Sequence, residues 1–484
     1  MSRPARLLST SLAGRLAGAA AVCALIAALQ LLGAADARAA APFTTGFYDQ
    51  GAYTSSSSDI WFGRSEDAGA GIVRIQAFWS QLAPGSRPVD PSSSADPAYD
   101  WSYLDDAVRG ANAHGLEVLL SADRAPAWAE GPNRPASAPA GTWRPDPAEY
   151  GLFAHALAQR YSGAILDPDN PTKLLPRVRY YQAWNEPNLS TYLTPQWSGK
   201  TAVSPLIYRQ LLNAFYDGVK GPINGADQSN FVVGAGTGPF GDLGTGGRRI
   251  SPLLFARTLY CLSGKKLKTT SCPDPAHLDA ISHHPYSVGG PRWKAYNADD
   301  ASVPDVWKVV RVLRRAESTG RVLPTGRKRV WATEISWDSS PPDPQGVPAA
   351  TQARWLEESM YVLWSQGVDT MIWYLIQDAA PTPSYAQTYQ SGIYLRNGTA
   401  KPSLTAFRFP FVTERRGKSK LRAWGRALED GTVSIQLKGR HGWRTIKRLQ
   451  GTADGVFMTK LSVKGPAKLR AQAPWGTSLI WPQR

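Results

Sequence analysis

The chain has 484 residues, which is long enough for one barrel-sized domain of about 250 to 400 residues and a second, smaller domain. Hydrophobic residues make up 43% of it and the mean hydropathy is −0.30, values typical of a soluble globular protein. The net charge is +16, but it is unevenly placed: residues 414–484 carry 16 Lys and Arg against four Asp and Glu, and residues 40–413 are close to neutral.

The N-terminus has the order of features found in a secretory signal peptide. Three basic residues, a mostly apolar stretch and an Ala-x-Ala cleavage site follow one another: Arg3, Arg6 and Arg15, then Leu16–Ala35, then Ala37–Ala39. We therefore predict a signal peptide over residues 1–39 and a secreted, extracellular protein, with cell-wall association as a further option. The length of the apolar stretch also fits an uncleaved anchor, but Gln30 and the many small residues favour cleavage, after which no stable membrane insertion is expected.

Three cysteines occur, and Cys23 would leave with the signal peptide. Two cysteines in an exported chain usually pair, so we predict a disulfide between Cys261 and Cys272. The loop that it closes is short, and its entropic stabilisation would be about 2–3 kcal/mol. No metal-ligand spacing is present, because His283 and His284 are adjacent and cannot share a helix face as an H-x-x-x-H pair does. No metal site is expected.

Strand-like and helix-like segments alternate after the signal peptide, a pattern typical of a parallel α/β barrel. Eight strands are predicted in chain order: Thr45–Tyr48, Gly71–Ala77, Leu116–Ser121, Val178–Ala183, Phe231–Gly236, Leu278–His283, Arg329–Glu334 and Asp369–Leu375. The helices predicted between and after them are Asp105–His114, Pro147–Tyr161, Pro205–Val219, Pro252–Leu262, Pro304–Glu317, Thr351–Gln366 and Pro402–Phe407. The predicted fold class is α/β, a (β/α)8 TIM barrel.

The helical periodicity stops after Phe411. Short alternating runs separated by Gly and Asp turns follow, and they predict four strands: Thr432–Leu437, Trp443–Leu449, Gly455–Leu461 and Lys468–Ala471. The predicted domains are thus a barrel over residues 40–413 and a small, basic all-β domain over residues 414–484. Within the barrel, long loops such as Pro84–Ala98, Ala129–Arg144 and Thr237–Arg249 follow strands, where they would line a cleft.

Two of the predicted barrel strands deliver a carboxylate at their ends. Trp184–Asn188, with the sequence WNEPN, follows the strand that ends at Ala183, and Glu334 lies in the run Arg329–Trp337. A pair of carboxylates on two strand ends is what glycoside hydrolysis by double displacement requires, since one group attacks while the other donates and later removes a proton. An isolated Asn-Glu-Pro also fits a helix start, but Glu334 on a second strand favours the catalytic interpretation.

These segments resemble the retaining glycoside hydrolases of clan A, a (β/α)8 superfamily in which an Asn-Glu pair ends strand 4 and a second Glu ends strand 7. The resemblance covers about Thr44 to Phe411, and it is nearest to family 5 (cellulase-like) or family 39 (β-xylosidase-like). It implies that Glu186 is the acid/base and Glu334 the nucleophile, with the carboxyl groups about 5–5.5 Å apart. No cofactor is implied, because the two Glu carry both the covalent and the proton-transfer steps.

The resemblance also implies the residues around the pair. Asn185 would hydrogen-bond the sugar 2-hydroxyl, Tyr286 would contact the nucleophile, and His284 would lie beside the sugar. Arg74, a charge inside an apolar strand, would orient Glu334. A surface turn for His284 and an ion pair elsewhere in the barrel for Arg74 are the alternatives.

Three tryptophans are candidates for sugar stacking. Trp373 ends the eighth predicted strand, where the family often has an aromatic platform under the sugar. Trp79 and Trp128 follow strands 2 and 3 and would line further subsites. Packing of the loops is the alternative for each of them.

The sequence therefore predicts a secreted retaining glycoside hydrolase that acts on a β-linked polysaccharide or glycoconjugate, and we expect a monomer. The main alternative is a catalytically inactive barrel that binds carbohydrate or cell wall. A nucleic-acid-binding protein is not expected, because export and a nearly neutral barrel argue against it. The basic domain is predicted to contact an anionic polymer, first through a dense run of positive charges, although a solvated face is the alternative: Arg415, Arg416, Lys418, Lys420 and Arg422.

Overall fold

The structure is a computed structural model that describes residues 43–220 and 227–484. The predicted signal peptide, with Cys23, lies outside the described residues. The rest of the chain, Pro42–Arg484, forms one compact unit. Of the helices in the described part, none is long and apolar enough to cross a membrane.

Eight parallel strands close into a barrel in which every strand pairs with its neighbours in sequence and the last pairs with the first. They are β1 Thr44–Tyr48, β2 Ile72–Phe78, β3 Glu117–Asp123, β4 Tyr180–Ala183, β5 Phe231–Thr237, β6 Ala280–His283, β7 Arg329–Ile335 and β8 Thr370–Tyr374. All eight predicted strands are confirmed, and the TIM-barrel prediction with them. Parallel strands covered by helices are buried on both faces, which is why they appear in the sequence as short apolar runs.

The barrel interior is filled by side chains near the amino-terminal ends of the strands. One layer of buried residues comes from six different strands: Ile72, Leu119, Val233, Ala280, Trp331 and Ile372. Tyr48, Tyr180 and Phe231 pack against this layer. Because side chains fill the amino-terminal half of the barrel interior, a functional site is expected at the carboxyl ends of the strands.

Ten α-helices occur in the described part of the chain: α1 Gln50–Tyr53, α2 Ser58–Asp67, α3 Trp79–Leu82, α4 Ser102–Ala113, α5 Pro147–Arg160, α6 Ser204–Lys220, α7 Pro252–Leu259, α8 Val306–Ser318, α9 Ala349–Ser365 and α10 Pro402–Arg408. The seven predicted helices correspond to α4–α10. The helix α2, between β1 and β2, was not predicted. It buries only Trp61, Phe62 and Ser65 and contains a glycine, so its apolar face is too short to give a helical period.

The loops between these elements contain short ribbons and 3-10 turns. The ribbons are Leu166–Asp167 with Asn170–Leu174, Trp197–Ser198 with Thr201–Ala202, Leu262–Ser263 with Lys268–Thr269, Ala276–His277 with Val322–Leu323, and Ser339–Ser340 with Val347–Pro348. The 3-10 turns are Ala127–Ala129, Val303–Asp305 and Tyr385–Gln387. Cys261 and Cys272 form the predicted disulfide, with their Cα atoms 5.6 Å apart.

The C-terminal part of the chain forms two antiparallel sheets. Their strands are β9 Phe411–Arg415, β10 Lys420–Arg426, β11 Gly431–Gly439, β12 Gly442–Gly451, β13 Val456–Ser462, β14 Ala467–Ala473, β15 Gly476–Thr477 and β16 Trp481–Gln483. The order is β9-β10-β13 in one sheet and β12-β11-β14-β15 in the other, with β16 also paired to β14. The prediction of all-β structure is correct, but it missed β9, β10, β15 and β16.

The strand β10 was missed because its many positive charges obscure the alternation of buried and exposed side chains. Leu421 and Ala423 are buried while Lys420 is exposed, as in any half-buried strand. The density of positive charge in this region was interpreted as a surface patch instead. The strand β9 spans the predicted boundary between residues 413 and 414.

The C-terminal sheets are attached to the barrel by a buried tryptophan and a buried arginine. Trp424 on β10 is fully buried, and its ring packs near Phe43, Tyr361 and Trp364 at centroid distances of 6.2, 5.7 and 6.0 Å. Arg426 donates hydrogen bonds to the carbonyl oxygens of Phe43 (3.1 Å) and Gly69 (3.0 Å) and pairs with Asp454. These carbonyls precede β1 and β2, so the attachment lies at the amino-terminal end of the barrel.

Replacing Trp424 with alanine is expected to lower the free energy of unfolding by about 3–5 kcal/mol, because it leaves a cavity between the sheets and the barrel. The measurement is chemical denaturation of the full chain. Trp443→Ala is the matched control, since Trp443 is only partly buried on β12, and it should cost less than about 1 kcal/mol. Equal losses in the two variants would contradict the packing role of Trp424.

Candidate active site

Glu186 and Glu334 lie at the carboxyl end of the barrel, after β4 and near the end of β7. The backbone around Glu186 is unusual, because Trp184 and Glu186 have positive φ values of 67° and 38°. The left-handed region is unfavourable for such side chains and recurs at functional sites. The turn is held by a hydrogen bond of 3.1 Å from the amide of Glu186 to the carbonyl of Gly236, at the end of β5.

A glycine after β5 makes room for the Glu186 carboxyl. A Cβ atom on Gly238 would lie 3.1 Å from Glu186 Oε1. The carboxyl therefore lies directly against main chain at this point, which shields one side of it from water. Its side chain is only 13% exposed.

Arg74 on β2 is the centre of the hydrogen-bond network below the two carboxylates. Its side chain is fully buried, and its Nη1 donates to Glu334 Oε2 at 3.1 Å and to the carbonyl of Thr333 at 3.2 Å. Its Nη2 donates to Asn185 Oδ1 at 2.7 Å. The guanidinium also lies over the ring of Tyr48, 4.5 Å from the centroid. The structure thus pairs Arg74 with Glu334.

Two donors hold Glu334 in place from different strands. The Tyr286 hydroxyl donates to Oε1 at 2.7 Å, and Arg74 donates to Oε2. Because each oxygen has a fixed donor, the orientation of the carboxylate is determined before any ligand arrives. Tyr286 follows β6, so the groups come from three different strands.

His284 bridges the two carboxyl groups. Its Nδ1 lies 3.0 Å from Glu186 Oε1 and 3.8 Å from Glu334 Oε2, and its Nε2 lies 3.1 Å from the Thr333 hydroxyl. Arg74 Nη1 lies 3.5 Å from Nε2. Burial lowers the pKa of His284 to about 3, which keeps the ring neutral.

The environment of Glu186 favours its protonated form. Burial raises the pKa of its carboxyl to about 7, and the charge of Arg74 opposes this only in part. A carboxylic acid that remains protonated near neutral pH can act as a general acid. The arrangement thus gives the two carboxyl groups different roles: Glu334 is fixed by a cation and a hydroxyl, and Glu186 is kept as an acid.

Asn185 is oriented for binding through its amide nitrogen. Its Oδ1 accepts from Arg74, so its NH2 group is the side that a ligand can reach. The side chain is 5% exposed and therefore has little freedom to turn. A hydroxyl that approaches the two glutamates would meet this donor.

Two of the three predicted sugar-stacking tryptophans are not placed as expected. Trp373 and Trp79 are completely buried, so neither can stack on a ligand without rearrangement of the core. The Nε1 of Trp373 donates to the carbonyl of Ser391 at 2.8 Å, and Trp79 packs on Phe153. Trp128 is half-buried and makes an edge contact with Trp79 at 5.5 Å.

Tyr374 takes the position that the sequence assigned to Trp373. Successive side chains of a strand point to opposite faces, so Trp373 faces the helices while Tyr374 faces the barrel mouth. Tyr374 packs against Tyr48 and Tyr389 at 5.2 and 5.0 Å. Burial raises its pKa, and the nearby charge of Glu334 raises it further.

Several other residues at the site were not predicted. Gln76 accepts from Arg74 Nη2 at 3.2 Å and donates to Asp123 Oδ1 at 3.2 Å, while the other oxygen of Asp123 is buried without a hydrogen-bond partner. Burial raises the pKa of Asp123 to about 6. Tyr192 lies near both glutamates, whose charges raise its pKa further after burial. The sequence could have predicted Gln76 as a site residue, because it lies two positions after Arg74 and therefore on the same face of β2. Tyr192 lies in a loop, where no such spacing exists.

A metal site does not account for this cluster. Across residues 43–220 and 227–484, no group of three or more His, Cys, Asp or Glu side chains is placed to hold a metal ion. The polar groups at the barrel mouth instead satisfy one another through direct hydrogen bonds.

Comparisons with known proteins support the fold. No family model matches the chain, and no curated protein matches it in sequence. Among solved structures, it is similar to a family 39 glycoside hydrolase from the gut symbiont Bacteroides cellulosilyticus WH2, with a TM-score of 0.53 and 18% identity over 88% of this chain and 81% of that one. It also matches a family 30 endoxylanase from Clostridium papyrosolvens C71, with a TM-score of 0.47 and 13% identity over 88% and 96% of the two chains. The chain thus has a barrel like that of the clan A glycoside hydrolases.

The carboxyl of Glu186 is expected to titrate near pH 7, because burial destabilises its charged form. The measurement is carbon NMR of protein labelled at the Glu side-chain carboxyls, with Glu186→Gln used to assign the signal. A Glu186 signal that titrates in the acidic range of an ordinary Glu, with a pKa of about 4.3, would contradict the expected environment.

Proposed function

We propose that this protein is a retaining glycoside hydrolase, with Glu186 as the acid/base and Glu334 as the nucleophile. The observation that carries the proposal is the asymmetry of the two carboxyl groups. Arg74 and Tyr286 both donate to Glu334, while Glu186 is held as a buried acid beside His284. A buried acid on one side and a carboxyl group oriented by two donors on the other are what the first step of double displacement needs.

The geometry supports the following sequence of steps. Glu186 donates its proton to the glycosidic oxygen as Glu334 attacks the anomeric carbon, so that the bond to the leaving group breaks and a glycosyl ester forms. Glu186, now an anion, removes a proton from water, which attacks the anomeric carbon and releases Glu334. The amide of Asn185 is available to donate to the 2-hydroxyl of the sugar, an interaction that strengthens in the transition state.

The spacing of the carboxyl groups favours retention of configuration. Since a single nitrogen of His284 lies 3.0 Å from one oxygen of Glu186 and 3.8 Å from one of Glu334, these two oxygens are less than about 7 Å apart. Inverting enzymes need about 6.5–9.5 Å for a water molecule between the two groups, and retaining enzymes about 5–5.5 Å. A separation below about 7 Å therefore excludes most of the range that inverting enzymes need.

The proposed substrate is a β-linked polysaccharide or glycoconjugate outside the cell, and the proposed location is secreted, in reach of a cell wall. This part of the proposal rests on the N-terminal sequence and on the family resemblance. The alternative is an inactive barrel that only binds carbohydrate. Sugar binding alone does not require an oriented carboxyl pair, yet Arg74 and Tyr286 both donate to Glu334, and His284 contacts Glu186 as well.

Glu334→Gln is expected to reduce kcat by at least about a thousandfold on an aryl β-glycoside while the protein stays folded, because the amide is a poor nucleophile. Azide should restore activity to Glu334→Ala by entering the vacated space, and the product should then be a glycosyl azide of the opposite anomeric configuration. Proton NMR of the first-formed sugar from the wild type should show the retained anomer. A first product of inverted configuration, or full activity of Glu334→Gln, would contradict the mechanism.

We also propose that the C-terminal sheets bind an anionic polysaccharide. We propose a different position for this contact than the run of positive charges predicted from the sequence. Arg415 donates to the carbonyl oxygens of Lys418 and Val463, and Arg416 pairs with Glu414. These two arginines of the predicted contact run therefore already have partners within the domain.

The outer face of β11, β12 and β14 supports the contact better. Cross-strand pairing brings Arg448 and Gln472 to either side of Ser434, and Arg470 beside Gln436. The guanidinium of Arg470 stacks over Trp443 at 4.3 Å, and Lys438 lies opposite Trp443. Guanidinium groups and glutamine amides on a flat sheet match the carboxylates and hydroxyls of an acidic sugar chain.

Removing three positive charges from this face should weaken binding to polygalacturonate at least about tenfold in low salt and flatten its salt dependence. The variant combines Lys438→Gln, Arg448→Gln and Arg470→Gln. The matched control removes three exposed charges elsewhere in the domain: Lys418→Gln, Lys420→Gln and Lys464→Gln. Affinity electrophoresis of the full chains compares them, and equal losses would show that net charge rather than this face is responsible.

A further inference from the structure

Two aromatic side chains stand in solvent on the same face of the barrel as the glutamates. Trp293 is 65% exposed and Tyr296 is 99% exposed. Both belong to the segment that follows β6, a few residues after Tyr286. Large apolar side chains exposed together at the rim of a cleft are typical of ligand-binding surfaces. By contrast, Trp79 and Trp373 are completely buried.

The backbone that carries these two rings is fixed by hydrogen bonds. Ser302 Oγ donates to the carbonyl of Trp293 at 2.8 Å, and the amide of Ala295 donates to Asp305 Oδ2 at 2.7 Å. Farther back in the segment, Trp337 Nε1 donates to the carbonyl of Ser287 at 3.0 Å. The rings are therefore exposed on a rigid support, which lowers the entropic cost of stacking against a ligand.

A groove of about 320 Å³ lies beneath these rings, between the segments that follow β5 and β6. Its lining includes the aromatic residues Phe240, Trp293 and Tyr296 and the charged residues Arg249, Lys294 and Asp300. Aromatic walls with a few polar groups are typical of small-ligand sites and suit a sugar. Arg249 is already paired with Asp242 at 2.7 Å, whereas Lys294 is exposed.

Both walls of the groove lie close to Glu186. Gly238, whose added Cβ would meet the Glu186 carboxyl, is two residues before Phe240 of one wall. Arg249 on the other wall pairs through its backbone with Leu189, three residues after Glu186. The groove is therefore placed beside the acid/base group.

Arg74, Gln76 and Asp123 form the buried network below the glutamates. Since the acid protonates the oxygen of the leaving group, the leaving group must extend past Glu186, and the groove lies beside the residues that flank Glu186.

We infer that the groove binds the leaving-group portion of the substrate, with Trp293 and Tyr296 stacking on at least one sugar unit beyond the cleaved bond. This inference rests on the proposed function and extends it. The substrate is an oligosaccharide or polysaccharide whose leaving group is itself a sugar, rather than a glycoside with a small aglycone. A surface for another protein is the competing explanation of the exposed rings, and the experiment below separates the two.

The test compares two substrates that share the same glycone, an aryl glycoside and a hexasaccharide. Trp293→Ala and Tyr296→Ala should each shift the ratio of kcat/KM for the hexasaccharide to that for the aryl glycoside downward by about tenfold or more, because only the longer substrate loses its stacking contact. Trp307→Ala is the matched control: Trp307 is 49% exposed on α8, outside the groove, and its loss should leave the ratio unchanged.

A second measurement separates failure of the inference from failure of the proposed function. Binding of the hexasaccharide to the Glu334→Gln protein is measured by calorimetry with and without each groove substitution. If the wild type cleaves no glycoside but the groove substitutions still abolish binding, the catalytic proposal fails and the groove assignment stands. An unchanged ratio in the groove variants, equal losses on both substrates, or no oligosaccharide binding to the Glu334→Gln protein would overturn the inference.

Discussion

The buried guanidinium of Arg74 is the group on which the organisation of the barrel mouth depends. A cation without exposure to water needs hydrogen-bonding partners, and the partners of both terminal nitrogens of Arg74 come from several strands at once. It donates to Glu334 from β7 and Asn185 after β4, and it lies over Tyr48 from β1. Because the fork of a guanidinium is rigid, these partners are fixed relative to one another, and the distance between the two glutamates follows from barrel geometry.

The same cation explains why two chemically identical carboxyl groups differ. Arg74 contacts Glu334 directly, but it reaches the neighbourhood of Glu186 only through space and through His284. Burial therefore dominates at Glu186, and its pKa rises to about 7. A neutral imidazole between them, with a pKa near 3, separates the two groups without adding a charge of its own. The raised pKa of Glu186 thus arises from the placement of its carboxyl group rather than from residue type.

Sequence reasoning identified the strands and the inward-facing polar residues, because both leave a local signal. Eight apolar runs mark the barrel, and Arg74, Glu186 and Glu334 interrupt or end such runs. It misplaced the aromatic residues, because composition does not show which face of a strand end a ring occupies. Trp373 and Tyr374 are neighbours, and only the pleat decides that the tyrosine faces the mouth. Trp293 and Tyr296 lie in a long loop whose path depends on contacts with Asp305 and Trp337, and these are distant in sequence.

The attachment of the C-terminal sheets through Arg426 has a consequence for how the molecule would work on a solid surface. Arg426 binds carbonyls that precede β1 and β2, whereas the glutamates lie at the far ends of the strands. The two regions are thus separated by the height of the barrel. A molecule tethered through its C-terminal sheets would hold its cleft away from the anchoring polymer. The polysaccharide chain bound by the sheets and the one cleaved in the cleft would then be different molecules. If both proposals hold, tethering would restrict where the protein acts without supplying substrate to its cleft.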